Sequence, residues 1–123
     1  NLCTAMEDAR FQLLCAFEMP RLFSFLNEHR QNVAFDMYEN AAAIQAGCTS
    51  APRTDFRELC FQGAGFMASI RSTPEHSVAV LCENMASDSD DVRLCLIAGA
   101  QRLALMNQRE FESEQKEVCT VLS

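Results

Sequence analysis

The sequence predicts an all-α fold, a disulfide-stabilised bundle of five or six helices, on three observations. Leu, Ala, Met, Glu, Gln and Arg dominate while glycine (4) and proline (3) are scarce, which is a helix-former's composition. Apolar residues recur at helical spacing in one segment after another. Seven cysteines, at positions 3, 15, 48, 60, 82, 95 and 119, are dispersed along a chain that is 49% hydrophobic. The 123 residues fit a single helical domain spanning 1–123, long enough to bury a core without a structural metal.

The elements follow in order. Thr4-Ala5-Met6-Glu7 has the capping-box pattern that opens a helix, and Met6, Ala9, Leu13, Ala16 and Phe17 continue on one face. Pro20 is expected either to kink this helix or to start a new one at Arg21. The polar run Asn27 to Asn32 reads as the bend of a helical hairpin, with a return helix from about Val33 to Ala46 that Gly47 ends in a left-handed conformation. The stretch Asp55–Arg71 has no consistently polar face. Phe56, Leu59, Gly63, Phe66, Met67 and Ile70 make one apolar stripe, and Phe61, Ala64, Gly65 and Ala68 make another. A helix apolar nearly all round belongs inside a bundle, so Asp55–Arg71 and the similar Val92–Met106 are placed at its centre.

Glycine inside a helix costs about 1 kcal/mol relative to alanine, so Gly63 or Gly65 is expected to face Gly99 and let the two central helices approach closely. Thr73-Pro74-Glu75 supplies start chemistry for a fourth helix with Val78, Leu81, Cys82 and Met85 on its inner face. Ser87 to Asp91 caps a fifth. Glu110, Glu112, Glu114 and Glu117 read as a solvated face.

Dispersed cysteines with no C-x-x-C and no histidine at zinc spacing are read as disulfides in an oxidising compartment rather than as metal ligands. The expectation is a secreted protein, and the Asn-Leu-Cys start fits a mature form whose leader has been removed. In an antiparallel helical hairpin, a bridge should straddle the turn symmetrically. That rule pairs Cys15 with Cys48, Cys60 with Cys82 and Cys95 with Cys119. Cys3 is left for a disulfide-linked homodimer. Cys82 and Cys95 straddle Ser87 to Asp91 just as symmetrically, and Cys3 could instead pair internally with Cys48 or Cys60, so other connectivities stay open.

No catalytic, cofactor-binding or metal-binding set is legible. His29 and His76 read as solvated residues, and neither G-x-S-x-G, H-E-x-x-H nor a glycine-rich phosphate loop occurs. Asp88, Asp90 and Asp91 lack the glycine and glutamate of an EF-hand and read as capping acids. A net charge of −7 with a single lysine argues against nucleic acid and against anionic lipid, and no apolar run is long enough to span a membrane.

Two functions from different classes fit what is left. One is a secreted, non-catalytic interaction protein of signal, toxin or effector type, whose braced surface meets a protein partner or receptor. The other is a carrier of a small apolar ligand such as a lipid, fatty acid or pheromone-like molecule, in a core cavity lined by Phe61, Gly63, Gly65, Phe66, Met67 and Gly99.

Overall fold

The computed structural model describes residues 3–31, 35–105 and 108–122, with residue 31 and residues 108–113 as backbone. A short 3-10 turn, Cys3–Ala5, leads into six helices: α1 (Ala9–Gln31), α2 (Ala41–Thr49), α3 (Thr54–Arg71), α4 (Val78–Met85), α5 (Ser89–Ala104) and α6 (Gln108–Leu122). No strand occurs among the described residues, and three intrachain disulfides brace the helices.

Helix α3 is the centre, packed against α5 on one side and α1 on another, with α2 and α4 also in contact. Its two glycines explain how. Successive helical residues are 100° apart, so Gly63 and Gly65 lie on opposite sides of the axis. A Cβ on Gly63 would overlap the Phe17 carbonyl of α1, and one on Gly65 would overlap the Cys95 carbonyl of α5. On α5, a Cβ at Gly99 would stand 3.2 Å from the Gly65 oxygen and 2.6 Å from Val78 Cγ1. The expected Gly65–Gly99 approach is therefore present, and Gly63 makes an equally close approach to a different helix. Phe56 and Phe61 of α3 are almost wholly buried, together with Leu81, Met85, Leu96, Leu103 and Val118 from α4, α5 and α6.

Several boundaries differ from those the sequence predicts. Helix α1 opens at Ala9 and not at Thr4–Glu7; Asp8 Oδ1 accepts from the Arg10 backbone N–H at 2.8 Å and supplies the cap. It runs unbroken past Pro20, which is buried, so tertiary packing holds the helix across the hydrogen bond that proline cannot make. Asn27 to Gln31 are helical and form no bend. Glu28 anchors them by accepting from Arg71 Nη2 at 2.9 Å and from the Phe35 backbone N–H at 3.1 Å.

The return helix begins at Ala41 and not near Val33, which lies outside the described residues. Before it, Asp36 organises a turn through its carboxylate to the Glu39 N–H and its carbonyl to the Asn40 N–H, both at 3.1 Å. Gly47 sits within α2 without a left-handed φ. Helix α4 starts at Val78 behind the cap Ser77, because residues 73–76 close a turn with paired Thr73–His76 backbone bonds of 3.0 and 3.2 Å. For α5 the expected capping acids hold: Asp88 accepts from the Asp90 N–H at 2.9 Å. Asp91 does more than cap. It is buried and accepts from Arg57 Nε at 3.2 Å and from Arg57 Nη2, tying the start of α5 to α3 and raising the Arg57 pKa.

The acidic run on α6 is also not simply a solvated face. Glu114 accepts from the Val78 N–H at 2.7 Å and from Ser72 Oγ at 3.1 Å, and Glu117 accepts from Ser77 Oγ at 2.9 Å. Two α6 carboxylates thus satisfy donors at and beside the N-terminus of α4, where the helix dipole favours negative charge. The side chains of Glu110 and Glu112, and the predicted end of α5 at Met106, lie outside the described residues.

Disulfide pairing is the largest correction. Cys3 bonds Cys15, Cys48 bonds Cys60 and Cys82 bonds Cys95, with Cα separations of 5.4, 5.3 and 5.7 Å. Only the Cys82–Cys95 alternative is among them. Two of the bridges span the tight junctions α2–α3 and α4–α5, with four- and three-residue connections, but not symmetrically: Cys48 and Cys82 lie in the last turn of one helix and Cys60 and Cys95 in the second turn of the next. Cys15, in the first part of α1, meets Cys3 of the N-terminal turn and not Cys48. Cys3 is consequently engaged within its own chain, which removes it as the link of a covalent dimer. The seventh cysteine, Cys119, is exposed on α6.

Candidate interaction surface

Helix α1 is apolar on two opposite sides. One side, with Ala16, Pro20 and half-buried Leu13, Met19 and Phe23, faces the bundle. The opposite side carries Phe11, Leu14, Glu18, Leu22, Phe25 and His29, spaced three or four residues apart. At 100° per residue these six positions stay within a strip about 80° wide running along the helix axis. Phe11 is 59% exposed, Leu14 57% and Phe25 65%; Leu26 (55%), Leu22 (38%) and Met6 (39%) flank them. Single exposed apolar residues are ordinary on protein surfaces, whereas a continuous apolar strip along a helix is a mark of an interaction surface.

Charge flanks the strip and interrupts it once, at Glu18 in its middle. At its N-terminal end the Arg10 guanidinium hydrogen-bonds Asp8, holding that carboxyl below its ordinary 3.8 and the Arg10 pKa above its own ordinary value. In the middle Glu18 and Arg21 pair at 3.7 Å. Towards the C-terminal end His29 stacks nearly parallel to Phe25, with centroids 6.5 Å apart.

Beside the strip, α1 and α3 form an open groove of about 480 Å³. Phe17, Phe25, Gly63, Phe66, Met67 and Ile70 give it apolar walls, and Arg21, Glu18, Glu28 and Arg71 supply charge. Phe17 and Phe66 meet edge to face at 5.8 Å across it. Arg71 is held in place by Glu28 and by Ser24 Oγ at 3.3 Å.

The six residues expected to line one core cavity are thereby separated. Gly63, Phe66 and Met67 line this groove, Phe61 is buried in the core beneath Arg57, and Gly65 and Gly99 occupy the α3–α5 contact. The cysteines other than Cys119 serve as braces. His76 stacks on Tyr38 with centroids 3.8 Å apart, in the turn before α4. Among the described residues no cluster of three His, Cys, Asp or Glu side chains could hold a metal, and every buried side-chain nitrogen or oxygen has a hydrogen-bond partner.

The α1 strip is the feature that reading the sequence missed. Its residues were visible, but α1 has apolar positions nearly all round, so nothing in the pattern alone says which side faces water. No helix among the described residues is long and apolar enough to cross a membrane. Comparison of the chain with known protein families, with curated proteins and with solved structures finds no match.

Proposed function

We propose that the protein is a secreted, non-catalytic interaction module that binds another protein through the outward strip of α1. The observation that carries this reading is the strip itself. Phe11, Leu14, Leu22 and Phe25 are solvent-facing along one side of a helix whose other side is fixed to the bundle. Support for an extracellular setting comes from the three disulfides, which persist in oxidising compartments. The helix is well held, by Cys3–Cys15 at one end and by Glu28–Arg71 at the other, so presenting the strip requires little ordering on binding.

A photoreactive phenylalanine analogue at position 25 tests the proposal in the fluid or tissue of origin, with the same analogue at exposed Arg93 as control. The expected outcome is a discrete protein adduct at position 25 only. It should be competed by excess wild-type protein and not by Leu22→Arg. Equal adducts at both positions, or none at position 25, would overturn it.

The carrier function draws on the α1–α3 groove, since Gly63, Phe66 and Met67 line it. Native mass spectrometry reads this directly: a co-purifying lipid-like mass that Phe66→Arg removes supports a carrier, and a ligand-free spectrum counts against it.

A further inference from the structure

We propose that the protein partner of this strip is a second copy of the same chain, paired antiparallel through α1 about a twofold axis beside Glu18. The proposal rests on the reading of α1 as a protein-binding face. Its own basis is that the strip from Phe11 to Phe25 is a palindrome, with His29 beyond it. In order along the helix it reads Phe11, Leu14, Glu18, Leu22, Phe25, with steps of three, four, four and three residues. Phe11 and Phe25 each lie seven residues from Glu18, and Leu14 and Leu22 each lie four.

A twofold contact requires that when residue i meets residue j of the partner, j meets the partner's i. Between Phe11 and Phe25 the strip meets that condition with like types: Phe11 falls opposite the partner's Phe25, and Leu14 opposite the partner's Leu22. At 1.5 Å per residue the two phenylalanine layers lie about 21 Å apart along each helix, so the contact has two apolar ends and a polar centre. A surface shaped for an unrelated protein has no reason to read the same in both directions.

Charges select the direction. With residue i level with the partner's 36 − i, antiparallel pairing brings the Arg10–Asp8 pair alongside the partner's Glu28 and Arg21 near the partner's Glu18, so each like-charge approach has an opposite charge beside it. At the axis the two Glu18 carboxylates face each other, and each Arg21, already paired with the Glu18 of its own chain, only partly offsets their repulsion. Parallel pairing in register would instead set Glu7, Arg10, Glu28 and Arg30 each against its own kind. A lipid surface is a poorer occupant, since the strip is flanked by both signs of charge and the chain carries −7 overall.

Sedimentation equilibrium of the purified, disulfide-intact protein should show a reversible dimer. Leu22→Arg changes an exposed residue, and circular dichroism should confirm its helix content; the dimer should weaken by about tenfold or more. Glu18→Leu removes the facing carboxylates and should tighten the dimer by about tenfold. A photoreactive phenylalanine analogue at position 11 should cross-link to residues 22–29 of the other copy, distinguished by isotopic labelling of one population.

A wild type that stays monomeric overturns the proposal, as does a dimer insensitive to Leu22→Arg. A Glu18→Leu dimer no tighter than wild type, or a cross-link from position 11 back to position 11, overturns the antiparallel register. A monomer whose position-25 adduct is a different protein removes self-pairing and leaves the protein-binding reading intact; a monomer with no adduct removes both.

Discussion

Helices α1 and α3 are built on the same plan and meet different surroundings. Each is apolar on two opposite sides. In α3 both sides are used: Gly63 lets it seat against α1 and Gly65 lets it seat against α5. In α1 the side bearing Ala16 and Pro20 is packed, while the side bearing Phe11, Leu14 and Phe25 is in water. The difference shows that apolar content places a helix near a core but does not say how many neighbours it has. Close approach does say so, because a glycine at a helix contact marks a side that is filled. Helix α1 has no glycine at all.

The sharpest way to break this comparison is to make one substitution in both helices. Phe61→Ala empties a site that is 1% exposed and should cost about 3–5 kcal/mol. Phe25→Ala, at 65% exposure, should stay within about 0.5 kcal/mol when denaturant unfolding is followed in dilute solution. Equal losses would mean that the outer side of α1 is packed in the folded chain.

The glycines sharpen it further. Gly65→Ala forces the methyl group into the Cys95 backbone and should destabilise by about 1–3 kcal/mol. Gly47 has nothing within 4 Å of where its Cβ would be, and lies inside α2, so Gly47→Ala should stabilise by up to about 1 kcal/mol. Thermal midpoints should therefore move in opposite directions. A smaller effect tests the contact between α6 and the start of α4. Glu114→Gln keeps the shape but weakens the acceptor for the Val78 N–H, and should cost about 1 kcal/mol. Amide exchange at Val78 should quicken while that of Ala68 in α3 does not.

Much of this architecture was legible in the sequence. The helical class, the centrality of α3 and α5 and the Gly65–Gly99 contact all follow from apolar spacing and from the cost of glycine in a helix. What escaped has identifiable physical causes. Asn27 to Gln31 look like a bend because they are polar, yet polarity is also what a helix end beyond the core requires, and Glu28 has Arg71 to hold it. Glu114 and Glu117 look solvated because their partners, Ser72, Ser77 and Val78, lie some forty residues away along the chain. The cysteine pairing carried a signal that symmetry about long hairpins obscured: the bonded cysteines stand 12, 12 and 13 residues apart, shorter than every gap between the pairs.

That order of bonding has a consequence for biogenesis. The bonded cysteines are first with second, third with fourth and fifth with sixth, so no loop encloses another. A chain entering an oxidising compartment from its N-terminus presents each native partner while it is the one thiol still available to the next. Cys119 arrives last, after the other six can have closed. Six thiols oxidised all at once could combine in fifteen ways, and even then the shorter closures are entropically easier. Vectorial delivery would make that choice by order of arrival, and this connectivity would then form by oxidation alone, without isomerisation of wrongly paired bridges.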